Sequence, residues 1–273
     1  MKKINFLKMS GTGNDFIMID NYEKKEKITV PEIGKICDRH QGIGADGILV
    51  IESPPSDEND FYMRYYNADG SEAEMCGNGA RCIARFAYIK KYAASKMRFL
   101  AKDGEHYAEV RKDGTVSLSM IDPRDLQKKV DIKTTAGIIK GTFINTGVPH
   151  FIIPVNDIEK VDVKNLGREI RLHKYFAPKG TNVNFVQAKS GIVNIRTYER
   201  GVEDETLACG TGAVAAAVTM HILKNIKKPV TIKTRGGVLK VNFSSQASRI
   251  TNVFLEGNAK IIAEGTILQE TFK

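Results

Sequence analysis

The apolar positions of this chain fall into short runs, and the runs recur. Ile4 and Phe6 open one that breaks at Ser10-Gly11-Thr12-Gly13-Asn14-Asp15 and resumes as Phe16-Ile17-Met18-Ile19, which predicts a hairpin over residues 3–20. Pro31 at a first helical position, with Ile33, Ile36 and Cys37 inward, predicts a short helix to about Asp38. Ile48 to Ile51 and Phe61 to Tyr66 read as strands on either side of an exposed loop, Ser53 to Asn59. A helix is expected from Gly79 to about Tyr92, with Ala80, Ile83, Phe86 and Ala87 inward and Arg81, Arg85 and Lys90 facing elsewhere. Alternation from Lys96 to Met120, broken at Asp103-Gly104 and Asp113-Gly114, predicts two further hairpin turns.

Pro123 and Asp125, after Asp122, mark a crossing point, and beyond it the order starts again. Phe143 to Ile153 parallels the first hairpin, with Phe151 standing 135 residues after Phe16. Val163 to Arg168 reads as helix, Thr181 to Gln187 and Val193 to Tyr198 as strands. Ala213 to Leu223 is apolar almost all round, as a helix enclosed by other structure should be. Arg235-Gly236-Gly237 repeats the turn at Asp103-Gly104, 133 residues on. Between these landmarks Cys76-Gly77-Asn78-Gly79-Ala80 is answered, again after 133 residues, by Cys209-Gly210-Thr211-Gly212-Ala213, with Glu72 and Glu205 each four residues upstream of its cysteine. The fold class expected is therefore α+β (mixed α/β), with two pseudo-twofold-related halves, each a curved sheet or barrel around a central helix. The first half is drawn at residues 1–121 plus 265–273 and the second at 122–264. A last strand, about Thr266 to Phe272, returns to the first half.

Composition narrows the function classes. With 42% apolar and 27% charged residues among 273, the chain reads as a soluble globular protein, and no apolar run reaches the ~18 residues of a membrane span. The N-terminus lacks a secretory h-region, so a cytoplasmic protein without a membrane partner is expected. The net charge of +9 comes from scattered lysine doublets rather than one basic stripe interleaved with aromatics, which reads as solvated surface and not as a nucleic-acid site. Four cysteines in a reducing compartment stay thiols; Cys37 and Cys82 read as packing residues. Gly42-Ile43-Gly44-Ala45-Asp46-Gly47 has the letters of a dinucleotide fingerprint but follows a helix and opens a strand, the reverse of what that motif needs. Gly210 to Ala215 matches loosely too, yet no apolar strand precedes it and no acidic residue occurs from Thr206 to Leu255 to bind a ribose. Cys37-x-x-His40 is half a zinc motif without a second half. No cofactor and no metal are expected.

A cysteine just ahead of a helix faces unpaired N–H groups and the positive end of the dipole. Its pKa, ~8.5 when free, is lowered in such settings. The dipole supplies roughly one pH unit of that, so titratable neighbours are needed, and His150 and Glu199 are the candidates. Two such residues from mirrored halves, one thiolate and one thiol, suit removal of a proton from one face of a carbon and delivery to the other, with inversion. The Gly77-Asn78 and Gly210-Thr211 amides suit a carboxylate and the enolate-like charge that develops on it.

At these residues the sequence resembles the diaminopimelate epimerases, cofactor-independent enzymes of lysine and peptidoglycan precursor synthesis. The resemblance runs the whole length and rests on KMSGTGNDF (Lys8 to Phe16), DRHQGIGADG (Asp38 to Gly47), YNADGSEAEMCGNGARC (Tyr66 to Cys82), GTNVNF (Gly180 to Phe185) and YERGVEDETLACGTGA (Tyr198 to Ala213). It implies a two-base mechanism with Cys76 and Cys209 as acid and base, and substrate contacts from Asn14, Asn67, Asn182, Glu199 and Arg200 with the Gly77-Asn78 and Gly210-Thr211 amides. It places His150 and Glu199 where the thiol pKa values are tuned, and it implies a homodimer acting on a small amino acid. Val148 stands where many members have asparagine, Gly47 where many have glutamine, and one extra residue lies between Arg200 and Cys209. Two rivals stay open: a racemase of another amino acid on the same scaffold, and a dithiol redox switch or binding module.

Overall fold

A computed structural model describes residues 3–25, 27–246 and 249–272. The chain divides into two compact units, Met1–Leu118 with Gly257–Lys273 and Ser119–Glu256. In the first, β1 (Ile4–Gly11) and β2 (Asn14–Asn21) form the predicted hairpin, Phe6 opposite Ile19 and Gly11 opposite Asn14. Its two turn residues, Thr12 and Gly13, take positive φ of 60° and 91°, the hand that matches strand twist. Helix α1 (Val30–Cys37) begins where Glu32 Oε2 accepts from Thr29 N at 2.7 Å, and it buries Ile33, Ile36 and Cys37 against Ile17, Ile19 and Ile48. It is the crossover to β3 (Gly47–Glu52), which runs parallel to β2. β4 (Phe61–Asn67) pairs antiparallel with β3, and β5 (Glu72–Ala73) with β4. Helix α2 (Gly77–Ile89) then crosses to β6 (Lys96–Ala101), parallel to β4, followed by the antiparallel β7 (Gly104–Val110) and β8 (Thr115–Ser119).

The second unit repeats this order. β9 (Arg124–Thr134) flanks β10 (Gly137–Asn145), which pairs antiparallel with β11 (Pro149–Pro154). Helix α3 (Val163–Arg171) crosses to the parallel β12 (Asn182–Lys189), with β13 (Ile192–Glu199) and β14 (Asp204–Thr206) antiparallel in turn. Helix α4 (Gly210–Lys224) crosses to β15 (Val230–Thr234), parallel to β13, and β16 (Gly237–Gln246) and β17 (Arg249–Asn258) follow. Strand β18 (Lys260–Ile267) then pairs antiparallel with β1, Ile4 opposite Ile267 and Ser10 opposite Lys260.

Each long helix is central to its own unit. α4 packs against β10, β11, β12, β13, β15 and β16, and is buried from Gly212 to Met220. Each buried Val or Met there adds roughly 1.5–3 kcal/mol of apolar burial. α2 packs against β1, β2, β3, β4 and β7. No helix of the described residues is long and apolar enough to cross a membrane.

Two sequence expectations are corrected. The return to the first unit begins at Gly257 rather than 265, because β18 pairs with β1 along nearly its whole length; the strand ends at Ile267, and Gln269–Phe272 forms a 3-10 turn whose Phe272 packs on the α1 cluster. The second unit likewise begins at Ser119, and the crossing point at Pro123 to Asp125 is already the start of β9. Only Val130 and Ile132 of β9 are buried, and Asp125 and Lys129 take positive φ of 57° and 58° where its pairing with β10 shifts register. A strand polar for its first half and twice bulged carries no alternation to read.

Candidate functional site

In the first unit Cys76 is the last extended residue before α2, at φ −108° and ψ 124°, and the helix's first internal bond runs from Ala80 N to Cys76 O at 2.7 Å. The amides of residues 77–79 therefore stand outside the helical ladder, at the positive end of its dipole. The thiol is half-buried, its Sγ 3.8 Å from Asn14 Oδ1. Asn14 is oriented by Asp46: its Nδ2 donates to Asp46 Oδ2 at 2.5 Å, leaving Oδ1 toward Cys76 and toward Asn78 Nδ2 at 3.4 Å. Asp46 also accepts from Asp15 N and from Arg39 Nη2, at 3.1 and 2.7 Å. Burial by itself would raise the Asp15 carboxyl, but hydrogen bonds and positive charge from Arg39 and Lys8 outweigh it and hold it at about 2.

Arg81, expected to face away from the core, is fully buried beneath this turn. Its Nη2 donates to Thr12 Oγ1 (2.8 Å) and Asn78 Oδ1 (2.9 Å), and its Nη1 to Gly77 O (3.1 Å). Strands enclose α2 here, so the guanidinium takes its acceptors from the cysteine turn itself, and burial pulls its pKa down. Gly11 has to be glycine, since a Cβ would stand 2.5 Å from Asn78 O. Asn67, at the end of β4, closes its own turn by donating from Nδ2 to Ser71 Oγ at 3.1 Å. Opposite it in the ladder, Gly47 has no room for any side chain: a Cβ would meet Tyr66 O at 2.4 Å.

In the second unit Cys209 takes the same place, φ −119° and ψ 116°, with Ala213 N donating to its carbonyl at 2.9 Å. It is 8% exposed, and its Sγ lies 3.4 Å from Thr211 Oγ1. Thr146 Oγ1 donates to Thr211 O at 3.0 Å and ties the turn to the strand below. His150 is fully buried, opposite Asn182 in the β11–β12 ladder. Asn182 donates to Pro149 O at 3.1 Å and accepts from Arg200 N at 2.9 Å, while Arg200 Nη1 donates to Lys179 O at 3.1 Å. Beside it, Arg200, Lys179, Tyr175, Phe143 and Pro149 line a cavity of about 490 Å³. Burial, and then the positive charge of Arg200, push His150 down to about 3 and keep it neutral. Burial pushes the Glu199 carboxyl up, opposed by the hydrogen bond that its Oε2 accepts from Thr206 Oγ1 at 2.8 Å.

The structure thus gathers Asn14, Gly77 and Asn78 around Cys76, with Asn67 closing a turn of its own, and braces Asn182 against Arg200 and Thr211 against Cys209 within the second unit. The upstream glutamates prove to be anchors: Glu72 Oε1 accepts from Arg64 Nη1 at 2.9 Å, and Glu205 accepts from Arg196 Nε and Nη2, both at 2.7 Å. Sequence reasoning missed Asp46, Arg81, Thr146, Thr197 and Asn184. Asn184 carried a signal, because it and Asn182 share one face of β12, whose first five residues are all buried. A polar residue on the inward face of an apolar strand has to serve a partner.

Topology and turns together define a class: duplicated α/β proteins in which each half presents one thiol at the N-terminus of its central helix. Among solved structures the fold is matched by a phenazine biosynthesis protein of the PhzF family from Bacillus anthracis, at TM-score 0.75 and 15% identity over 98% of this chain and 100% of that one. The family profile of diaminopimelate epimerase matches the chain twice, over residues 6–126 and 142–262, and the chain belongs to the diaminopimelate epimerase family. The diaminopimelate epimerase of Aquifex aeolicus is 44% identical over 281 residues, spanning 99% of this chain and 100% of the relative. That of a Hydrogenobaculum species is 45% identical over 278 residues, 97% and 99% of the two chains.

Proposed function

We propose that this protein is a cofactor-independent isomerase that interconverts LL- and meso-diaminopimelate, with Cys76 and Cys209 as the acid–base pair. One observation carries the reading: each unit sets a cysteine at the same point of the same topology, before a Gly-x-Gly-Ala helix start. A thiolate takes the Cα hydrogen as a proton and becomes a thiol, while the electron pair spreads into the carboxylate as an enediolate. The other thiol gives its proton to the opposite face and is left a thiolate. One proton leaves and one arrives, Cα is inverted, and the two sulfurs have exchanged protonation states, ready for the reverse turnover.

The amides of Gly77, Asn78, Gly210 and Thr211 meet the developing carboxylate charge. Asn14, Asn67, Asn78, Asn182, Glu199 and Arg200 hold the rest of the substrate, and His150 and Glu199 govern the protonation of the thiols. The relatives' names supply the substrate. Of the two departures that favour a racemase of another amino acid, Gly47 is accounted for by backbone packing, which leaves Val148. In heavy water, deuterium should enter Cα of diaminopimelate and not of proline, glutamate or histidine. Exchange into a different amino acid, or exchange that survives Cys76→Ala with Cys209→Ala, would overturn the reading.

The thiols fit a reducing cytoplasm. A homodimer fits β18, which the described residues pair with β1 alone and which exposes Ile261 and Ile262. Two copies of β18 paired antiparallel about Ile262 would set Lys260 opposite Glu264. Sedimentation of wild type against Ile262→Lys tests this, the variant being expected to run as a monomer.

A further inference from the structure

We propose that Asn184 is a positioning residue that holds His150 in its Nε2–H form, making the imidazole a hydrogen-bond donor and not a proton acceptor. The tautomer follows from geometry; only the use made of the donor rests on the epimerase reading above.

Asn184 is fully buried, and its amide is committed at both ends. Oδ1 accepts from Thr197 Oγ1 at 2.9 Å. Nδ2 lies 3.0 Å from His150 Nδ1 and 3.5 Å from the carbonyl oxygens of both Phe151 and Asn182. Those two carbonyls decide which way the amide points, because turning it over would set its oxygen against two further oxygens that have nothing to donate. The nitrogen therefore faces His150, and an N–H facing Nδ1 requires Nδ1 to be bare. A neutral imidazole carries one proton, so it sits on Nε2.

Nε2 is buried and has no hydrogen-bond partner among the described residues. Buried donors are nearly always satisfied, so one left open inside a braced network is kept for an acceptor that comes and goes. The acceptor this donor suits is anionic. Arg200 is the charged group recorded as acting on the ring, and it favours an anion at the same place while keeping the ring itself uncharged. Two sources bring such an acceptor: an ionised catalytic thiol, or a carboxylate of the substrate. The same network reaches the cysteine turn directly, since the place a Cβ of Gly212 would occupy lies 2.6 Å from Asn184 Oδ1. The glycine before Ala213 is thus the room the amide needs, and Asn184 sets the imidazole and the helix start together.

Two-bond proton–nitrogen correlation spectra of histidine-labelled protein, with His150→Gln for assignment, read the tautomer directly. The ligand-free wild type should show the proton on Nε2 and a bare Nδ1 at neutral pH; a proton on Nδ1 overturns the proposal with no variant needed. In Asn184→Asp the new carboxylate should draw a proton to Nδ1 and lower kcat on the order of 10²-fold with KM little changed, whereas Thr197→Val, which leaves both carbonyls in place, should keep the wild-type tautomer. Full kcat in a folded Asn184→Asp whose proton has moved also overturns it. Raising the pH without ligand shifts the Nε2 proton if a thiolate is the acceptor; adding diaminopimelate to the Cys76→Ala, Cys209→Ala variant shifts it if a carboxylate is. No shift in either arm refutes the donor role. Absence of deuterium exchange in the wild type would sink the epimerase reading and leave the tautomer result standing.

Discussion

The two cysteine turns rest on one backbone plan and on opposite polar chemistry. Register aligns them residue by residue: Phe16 faces Gly47 as Phe151 faces Val183, so Asp15 and Asp46 of the first unit stand where His150 and Asn182 stand in the second. The first unit surrounds its half-buried thiol with ions, Lys8, Asp15, Arg39 and Asp46, and puts a guanidinium under the turn. The second uses neutral amides, hydroxyls and an uncharged imidazole, nearly all buried. Arg81 itself corresponds to Val214, five residues past the cysteine in each copy, and both are fully buried. Ions need water or counter-ions close by, whereas a satisfied neutral network stays dry. The helix start fixes where each sulfur goes, and its polar surroundings are free to diverge.

The largest test of this comparison is chemical. Cys76→Ala and Cys209→Ala should each lower turnover by about 10²- to 10⁴-fold in both directions; a variant that keeps most of its rate would show that the two sulfurs do not share one reaction. Next, Arg81→Met leaves Thr12 Oγ1, Asn78 Oδ1 and Gly77 O without their donor and should destabilise the protein by roughly 3 kcal/mol in urea unfolding.

Acid should then separate the halves. His150 falls from 6.5 to about 3 on folding, so below pH 6.5 the unfolded chain binds a proton that the folded one refuses. Stability is lost as pH falls through that window, about 2 kcal/mol by pH 5, and His150→Gln should flatten the slope. Asp15, held at about 2 from 3.8, contributes stability that goes only as pH drops below 3.8. Amide exchange at descending pH should therefore show the second unit loosening first. The smallest contrast lies in the paired arginines. Arg196, 13% exposed and bonded also to the carbonyls of Ile158 and Val161, should cost about 2 kcal/mol as Arg196→Ala. Arg64, 30% exposed, should cost about 1 kcal/mol as Arg64→Ala in the same thermal assay.

Much of the architecture was legible because turn chemistry and alternation agreed. Thr12-Gly13, Asp103-Gly104 and Gly236-Gly237 each sit at or beside a positive φ that closes a hairpin, and the all-round apolar run before Leu223 is the enclosed α4. The cysteine turns were legible only as a repeat, since neither copy alone distinguishes a reactive thiol from a packed one. Arg81 was not legible, because helical spacing says which way a side chain points and not whether strands close over it. Nor was the office of Glu72 and Glu205, which depends on β5 and β14 folding back on the strands that carry Arg64 and Arg196. Asn184 needed its neighbours' carbonyls before its orientation, and through it the imidazole's proton, had any meaning.

The partner of β1 lies at the far end of the chain. As the polypeptide leaves the ribosome, residues 119–256 are all in hand for the second unit before 260–267 have been made, while the sheet begun by the earliest strand waits with one flank bare. A nascent chain of this protein holds a later half ready to close and an earlier half that stays unfinished until β18 is translated.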